Sequence, residues 1–301
     1  MCASCGCQGE GATMTNMQTG ASAPIAAMDE HGHFHAHGEA AHGDHGHSHS
    51  HDEHHTHDHD RHHHDHDHDG RPHGQSNHHV EIEKRILAKN DAAAAKCRAW
   101  FAGREIVALN LVSSPGAGKT TLLERSIADL AMELSLFVIE GDQATSNDGA
   151  RIRAAGAPVV QLNTGTGCHL DAEMIVQALA ELRPTAGSVV FIENVGNLVC
   201  PALFDLGERA KAVIYSTAEG EDKPLKYPHM FRAAGIVILN KIDLLPHLDF
   251  SMERARENIR LVNPDAEIVE VSARTGAGTQ VLYEWIRAQL ASAKQSAPIL
   301  A

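Results

Sequence analysis

From residue 106 onward the chain alternates between two kinds of run. Short stretches rich in Val, Ile and Leu lie at residues 106–112, 136–140, 158–162, 189–193, 212–216, 236–239 and 267–271. They read as strands, because branched apolar side chains suit a pleated, buried surface. Between most of them the apolar positions fall three and four apart, at residues 144–155, 171–182, 252–262 and 281–290, and in a run from the turn at 113–118 to about residue 134. These read as helices. An alanine-rich run from Val80 to Trp100 has the same spacing and predicts a further helix packed on the domain. Strands alternating with helices predict an α/β fold with a mostly parallel sheet flanked by helices, and ligands beyond the carboxyl ends of its strands.

Ahead of Val80 the pattern stops. Of the 24 histidines, 21 lie between residues 31 and 79, interleaved with Asp, Gly and Ser and almost without aliphatic side chains. Such a stretch buries too little apolar surface to offset its ordering entropy, so it is expected to be disordered when metal-free. The chain therefore divides into a cysteine motif and linker (1–30), a histidine-rich metal-binding tract (31–79), a core-forming domain (80–295) and a short tail (296–301). The formal charge of -14 suits a cation binder and argues against nucleic acid as a partner, since phosphate binding needs a basic surface. No run approaches the roughly 20 apolar residues that span a bilayer, and no basic start leads into a long apolar segment. A cytoplasmic, membrane-free protein is expected. In that compartment the six cysteines read as ligands or buried thiols rather than disulfides.

Ser113-Ser114-Pro115-Gly116-Ala117-Gly118-Lys119-Thr120 follows an apolar strand and opens an amphipathic helix, the context that a phosphate-binding P-loop requires. Backbone amides from Gly116, Ala117 and Gly118 into Thr120 and Thr121 can wrap phosphate oxygens. Lys119 can reach the β- and γ-phosphates, and Thr120 can ligate Mg2+. Ser113 stands where the first glycine of the pattern usually falls, so the loop must tolerate a side chain there. Asn240-Lys241-Ile242-Asp243, after another strand, resembles the guanine-reading N-K-x-D motif: an aspartate accepts hydrogen bonds from guanine that adenine cannot give. Ser272-Ala273-Arg274 resembles the loop that supports the base from its other side. Asp142 and Glu193 end strands where a carboxylate can hold Mg2+ or its waters, and Gly196 can offer its amide to a γ-phosphate. Asn197 stands in place of a water-orienting glutamine, which predicts slow intrinsic turnover. With these motifs the α/β domain reads as a P-loop GTPase, a G domain preceded by a disordered metal-binding N-terminal region. The expected ligands are GTP or GDP with Mg2+, the expected catalytic set Lys119, Thr120, Asp142 and Glu193.

Cys2, Cys5 and Cys7 place three thiols within a few positions, close enough for one soft or borderline cation to bind several at once. The histidine tract suits Ni2+, Zn2+, Cu2+ or Co2+, and its multiplicity points to buffering of several ions. Inside the domain, Cys168-His169 sits at a strand-to-helix junction and Cys200 follows the loop that begins at Glu193. Both loops are expected on the nucleotide face, either as buried loop thiols or as a three-ligand site that a symmetric dimer would complete. Cys97 reads as a core or surface thiol, His229 and His247 as ordinary loop or helix-end residues.

Taken together these elements resemble the HypB family, GTPases of hydrogenase maturation that help insert nickel into nickel-iron hydrogenase. The runs at 113–121, 141–148, 163–171 and 193–201 carry the likeness most specifically, with the Cys-x-x-Cys-Gly-Cys start. The resemblance implies a homodimer dependent on nucleotide or metal, with an interface site for Ni2+ or Zn2+ at Cys168, His169 and Cys200. It also implies metal exchange with a HypA-type nickel chaperone and the hydrogenase large subunit precursor. The related urease accessory GTPase, a metal-storage protein with a regulatory G domain, and a dimeric P-loop ATPase are the rival readings. The terminal cysteines disfavour the first of these and Asn240–Asp243 the last.

Overall fold

Strands that are apolar at nearly every position need cover on both faces, and here they have it. The computed structural model describes residues 11–25, 75–143 and 145–296. Its sheet takes β1 (Thr13–Asn16), β2 (Ser22–Pro24), β3 (Val107–Ser113), β4 (Leu136–Asp142), β5 (Val159–Asn163), β6 (Val189–Glu193), β7 (Ala210–Ser216), β8 (Ala234–Asn240) and β9 (Glu267–Glu270) in the order β2-β1-β5-β4-β6-β3-β7-β8-β9. β3 to β9 are mutually parallel. The interleaved order follows because each parallel step needs a crossover helix.

The helices are α1 (Gln75–Ala102), α2 (Lys119–Leu130), α3 (Asn147–Ala155), α4 (Ala172–Leu182), the short α5 (Cys200–Leu203), α6 (Lys223–Lys226) and α7 (Pro228–Arg232), then α8 (Met252–Val262) and α9 (Thr279–Ser296). Alternate residues of the strands feed opposite sides. Val107, Leu109 and Leu111 pack with Leu122, Ile127 and Leu130 of α2, Ile152 of α3 and Leu282, Tyr283 and Ile286 of α9. Ala108, Val160, Leu162 and Ile192 face Ala94, Cys97 and Phe101 of α1 and Met174, Ile175 and Leu179 of α4. Tyr215, Val237 and Leu239 meet Met230 and Phe231 of α7 and Ala255 and Ile259 of α8. Side-chain caps set two of the starts: Asp171 accepts from the Met174 amide at 2.8 Å and Ser251 from the Arg254 amide at 3.2 Å. Among the described residues no helix is long and apolar enough to cross a membrane.

Three expectations need correction. Part of the segment read as linker forms the β1-β2 hairpin, in which β1 runs antiparallel to β5. The partner strand, not the composition of Thr-Met-Thr-Asn, makes it a strand: Met14 and Ile25 pack on the α4 side of the core, and Met17 on the other. Thr13 pairs with both Asn163 and Pro24, so both ends of the hairpin leave at the carboxyl edge of β5. Second, α1 begins at Gln75, inside the range assigned to the histidine tract. Third, the helix after the phosphate loop ends at Leu130, and the chain continues as a turn in which the Leu134 amide reaches Leu130 O at 2.9 Å.

Candidate functional site

The β3-to-α2 turn wraps a cavity of about 560 Å³ at the carboxyl end of the sheet. Gly116 and Gly118 take φ of 73° and 98°, a region that L side chains rarely enter. A Cβ on Gly118 would stand 2.5 Å from Asn240 Nδ2. The irregular Ser113 fits because its hydroxyl is used: Lys119 Nζ donates to Ser113 Oγ at 3.0 Å, and that hydroxyl donates to Ser114 O at 2.6 Å. Gly116, Gly118, Lys119, Thr120, Thr121, Asp142, Glu193 and Gly196 line the cavity, and Ala117 is buried just behind it. Gly196 lies against the phosphate loop so closely that a Cβ would meet Pro115 at 3.3 Å.

Two carboxylates sit beneath the lysine. Thr120 Oγ1 donates to Glu193 Oε1 at 2.7 Å, while Glu193 Oε2 is buried without a hydrogen-bond partner. Glu140, paired with Glu193 in the β4-β6 register, also has a buried, unpartnered Oε2. Burial pushes Glu193 up to about 7, opposed by Lys119; burial and then the neighbouring Glu193 push Glu140 up to about 9. The same burial lowers the Lys119 ammonium. Unmatched carboxylate oxygens beside a threonine hydroxyl are the donor set of a hard divalent cation, so Thr120 and Glu193 fit Mg2+. Asp142 also faces the cavity, but its carboxylate is turned onto its own loop, accepting from the Gln143 amide at 2.8 Å and the Thr145 amide at 2.9 Å. Glu140 was invisible as a site residue in the sequence, where it is one polar position in an apolar strand. Only the pairing of β4 with β6 sets it beside Glu193.

The base-side motif is tied to the phosphate loop. Asn240 donates to Ala117 O at 2.9 Å and accepts from the Ala273 amide at 3.0 Å. Lys241, in a left-handed turn at φ 66°, donates to Gly116 O at 2.6 Å. Asp243 Oδ1 accepts from Ser272 Oγ at 2.6 Å, and Arg125 of α2 donates to Ala273 O and Arg274 O at 2.6 and 3.0 Å. The two separated motifs thus form one loop cluster, in which Ser272 fixes the Asp243 carboxylate.

On the other wall of the cavity three soft ligands converge. Cys168, which itself lines the cavity, His169 and Cys200 each present one ligand atom, all within 4.8 Å of one another. Cys168 Sγ lies 2.9 Å from Cys200 Sγ and 3.6 Å from His169 Nδ1. The His169 ring stacks on Phe204 with centroids 3.8 Å apart, and burial pushes its pKa down to about 4, so it is a neutral imidazole, the form that ligates metal. Asn197 Nδ2 donates to Cys168 O at 3.4 Å, linking the loop after Glu193 to this trio. Soft sulfur and imidazole donors suit a borderline cation such as Ni2+ or Zn2+. Cys2, Cys5, Cys7 and the histidines of residues 31–74 lie outside the described residues. Cys97 is a core thiol, 1% exposed, and His229 and His247 are exposed.

A phosphate loop, a second loop tied to it by hydrogen bonds, and a cluster of two cysteines and a histidine whose donor atoms could hold a metal ion lie on one face of a parallel sheet, the arrangement of a P-loop nucleotide-binding domain. Residues 107–270 match the family model described as CobW/HypB/UreG, nucleotide-binding domain. A hydrogenase maturation factor HypB from Rhizobium leguminosarum bv. viciae is 58% identical over 212 residues, spanning 70% of this chain and 71% of the relative. Two solved structures share the fold. The HypB of Archaeoglobus fulgidus is 35% identical with a TM-score of 0.63, over 67% of this chain and 99% of its own. That of Helicobacter pylori, solved in complex with nickel, is 34% identical with a TM-score of 0.64, over 71% of this chain and 99% of its own. The chain belongs to the HypB family of hydrogenase maturation factors.

Proposed function

We propose that this chain is a GTP-hydrolysing nickel metallochaperone of hydrogenase maturation, in which nucleotide state sets the metal affinity of Cys168, His169 and Cys200. The observation that carries the reading is that Cys168 and the phosphate-loop residues line one cavity. The relative solved with nickel adds weight to nickel as the cargo.

Lys119 supplies a fixed positive charge toward the β- and γ-phosphates, and the loop amides hold the chain of phosphates in place. Thr120 and Glu193 would hold Mg2+, which when bound neutralises charge on the phosphate oxygens. Asp243 selects guanine because an adenine edge would leave its carboxylate unmatched. Gly196 lies on Pro115, and its neighbour Asn197 donates to the Cys168 carbonyl at 3.4 Å. A shift of this loop toward a γ-phosphate therefore moves a metal ligand. Metal and nucleotide must then affect each other reciprocally. With Asn197 where other GTPases orient water, turnover is slow and suits a switch. Three ligands leave the site incomplete, so a second copy of the chain supplies the rest; a HypA-type chaperone and the hydrogenase precursor are the partners for exchange in the cytoplasm. The N-terminal thiols and the histidine tract hold and buffer further ions, Zn2+ among them.

The test is calorimetric titration of Ni2+ into the metal-free protein with GDP, a non-hydrolysable GTP analogue, or neither. To assign the heat to the domain, the same titrations use Cys168→Ala and Cys200→Ala. An affinity that differs between nucleotide states, and that is lost in both variants, is expected. Equal affinity in all three states would refute the switch, and binding untouched by either variant would move the metal to the N-terminal segments.

A further inference from the structure

Helix α3 brings a third cation into the phosphate cavity, one that none of the motifs accounts for. Arg151 lines it beside Lys119, Thr120 and Thr121. Its guanidinium donates to Thr121 Oγ1 at 3.2 Å, to both Glu124 carboxylate oxygens at 3.1 and 2.6 Å, and to Asp148 Oδ1 at 3.0 Å. The other cavity cations are anchored differently: Lys119 on a buried hydroxyl and Lys241 on the Gly116 carbonyl. Arg151 is held by two carboxylates still open to water, with side chains 29% and 39% exposed. The Glu124 contact is a two-bond fork, yet both carboxylates remain partly hydrated, so a more highly charged anion can compete for the guanidinium. Phosphate oxygens accept the same two parallel bonds from a guanidinium as Glu124 does, and a di- or triphosphate brings more negative charge than one carboxylate. Thr121 marks where those oxygens come, since the first turn of a P-loop helix cradles the α- and β-phosphates.

We propose that Arg151 is a nucleotide-binding residue whose guanidinium leaves Glu124 and Asp148 for the α- and β-phosphate oxygens of a bound guanosine di- or triphosphate. The inference rests on the reading of the cavity as a guanine-nucleotide site. Glu124 is then a competitor for the arginine, and nucleotide binding frees α3 from one contact and gives it another. GDP and GTP gain alike, because both carry the α- and β-phosphates.

The alternative is a strut, in which Arg151 merely pins α3 to α2. The two roles differ in sign. A strut is lost when either end is removed, so Arg151→Ala and Glu124→Gln would harm nucleotide binding together. A competed ligand contact makes them opposite. The experiment titrates GDP, and a GTP analogue with Mg2+, into the full chain and into Arg151→Ala, Arg151→Gln, Glu124→Gln and the Arg151→Ala/Glu124→Gln pair, with thermal melts to confirm folding. Arg151→Ala and Arg151→Gln are expected to weaken GDP on the order of tenfold, the scale of a charge-assisted hydrogen-bonded pair. Glu124→Gln is expected to tighten it severalfold, and the double variant to behave as Arg151→Ala alone. Equal weakening by Arg151→Ala and Glu124→Gln, or GDP affinity unchanged in both arginine variants, would overturn the proposal. Failure of the unaltered chain to bind any guanine nucleotide is a distinct outcome, and it would remove the guanine-nucleotide reading and this contact with it.

Discussion

Gly118 takes φ 98° at the start of α2, and a Cβ there would stand 2.5 Å from Asn240 Nδ2, the atom that holds Ala117 O. Gly118→Ala therefore strains the backbone and pushes away the side chain that joins the phosphate loop to the base loop. Strain of this kind costs about 1–3 kcal/mol. The expected outcome is a modest drop in melting temperature with nucleotide affinity lowered by about two orders of magnitude or more. A variant that binds GDP normally would show the loop to be softer than its geometry implies. A second residue-scale prediction concerns Cys97. Burial pushes its thiol up to about 12, so the folded chain carries almost no thiolate there at pH 8 and the side chain is shielded as well. Because an acid's raised pKa favours its protonated form, this stabilisation holds below the ordinary thiol value of 9.0 and is lost as pH rises toward 12. Alkylation of metal-free protein at pH 8, read by mass spectrometry, is expected to modify the half-buried Cys168 and Cys200 well before Cys97, which should react only on denaturation. The placement of Lys119, Thr120, Asn240 and Asp243 at the carboxyl ends of strands was legible in the sequence, because spacing along the chain sets it. Glu140 and Arg151 were not, because one becomes a site residue through strand register and the other through the docking of α3 on α2.

At the scale of elements, the parallel strands and the helices between them could be read from periodicity because each carries enough apolar positions to state its own face; β6 and α8 have the predicted bounds. The hairpin could not. Its strands hold four and three residues, too few for alternation to register, and their stability comes from what they meet. The Met17 amide donates to Val159 O at 3.1 Å, Gln18 donates to Ala157 O at 3.2 Å and accepts from the Val159 amide at 3.1 Å, and Asn16 Nδ2 donates to Glu181 of α4 at 2.6 Å. The hairpin thus covers β5, which would otherwise be an open edge with unpaired backbone groups and a ready template for association. A chain beginning at residue 26 is expected to lose roughly 1–3 kcal/mol of stability, the range of a few lost hydrogen bonds and partly buried methionines. It should also self-associate more strongly. Urea denaturation and light scattering would check both, and an unchanged midpoint would mean that the hairpin only rests on the sheet. The two ends of the same hairpin, Thr13 and Pro24, stand at the carboxyl edge of β5, the end of the sheet where the cavity lies.

For the whole molecule the decisive question is what completes the trio of Cys168, His169 and Cys200. Four ligands are usual for Zn2+, and soft borderline ions rarely stop at three. Around Cys200 the surface is apolar where water would favour polar groups: Val199 is 50% exposed and Leu203 56% exposed, one on each side of the thiol along α5. A second copy related by a two-fold axis would bring the same ligands and the same two side chains to meet their equivalents, since an isologous contact pairs a patch with itself. Metal and apolar burial would then act together, and neither should suffice alone. Metal-free protein is expected to scatter light as a monomer in the absence of nucleotide and to shift toward a dimer on addition of Ni2+ or Zn2+. Cys200→Ala should abolish that shift. Val199→Ser with Leu203→Ser should weaken the dimer by an order of magnitude or more, from roughly 25 cal/mol for each Å² of apolar surface no longer buried, while leaving GDP binding intact because neither residue lines the phosphate cavity. If metal drives dimerisation equally in the serine variant, the apolar rim plays no part and the ions alone bridge the copies. If Cys200→Ala still dimerises with metal, the bridging ligands lie elsewhere in the chain, and the cavity-lining Cys168 loses its link to assembly.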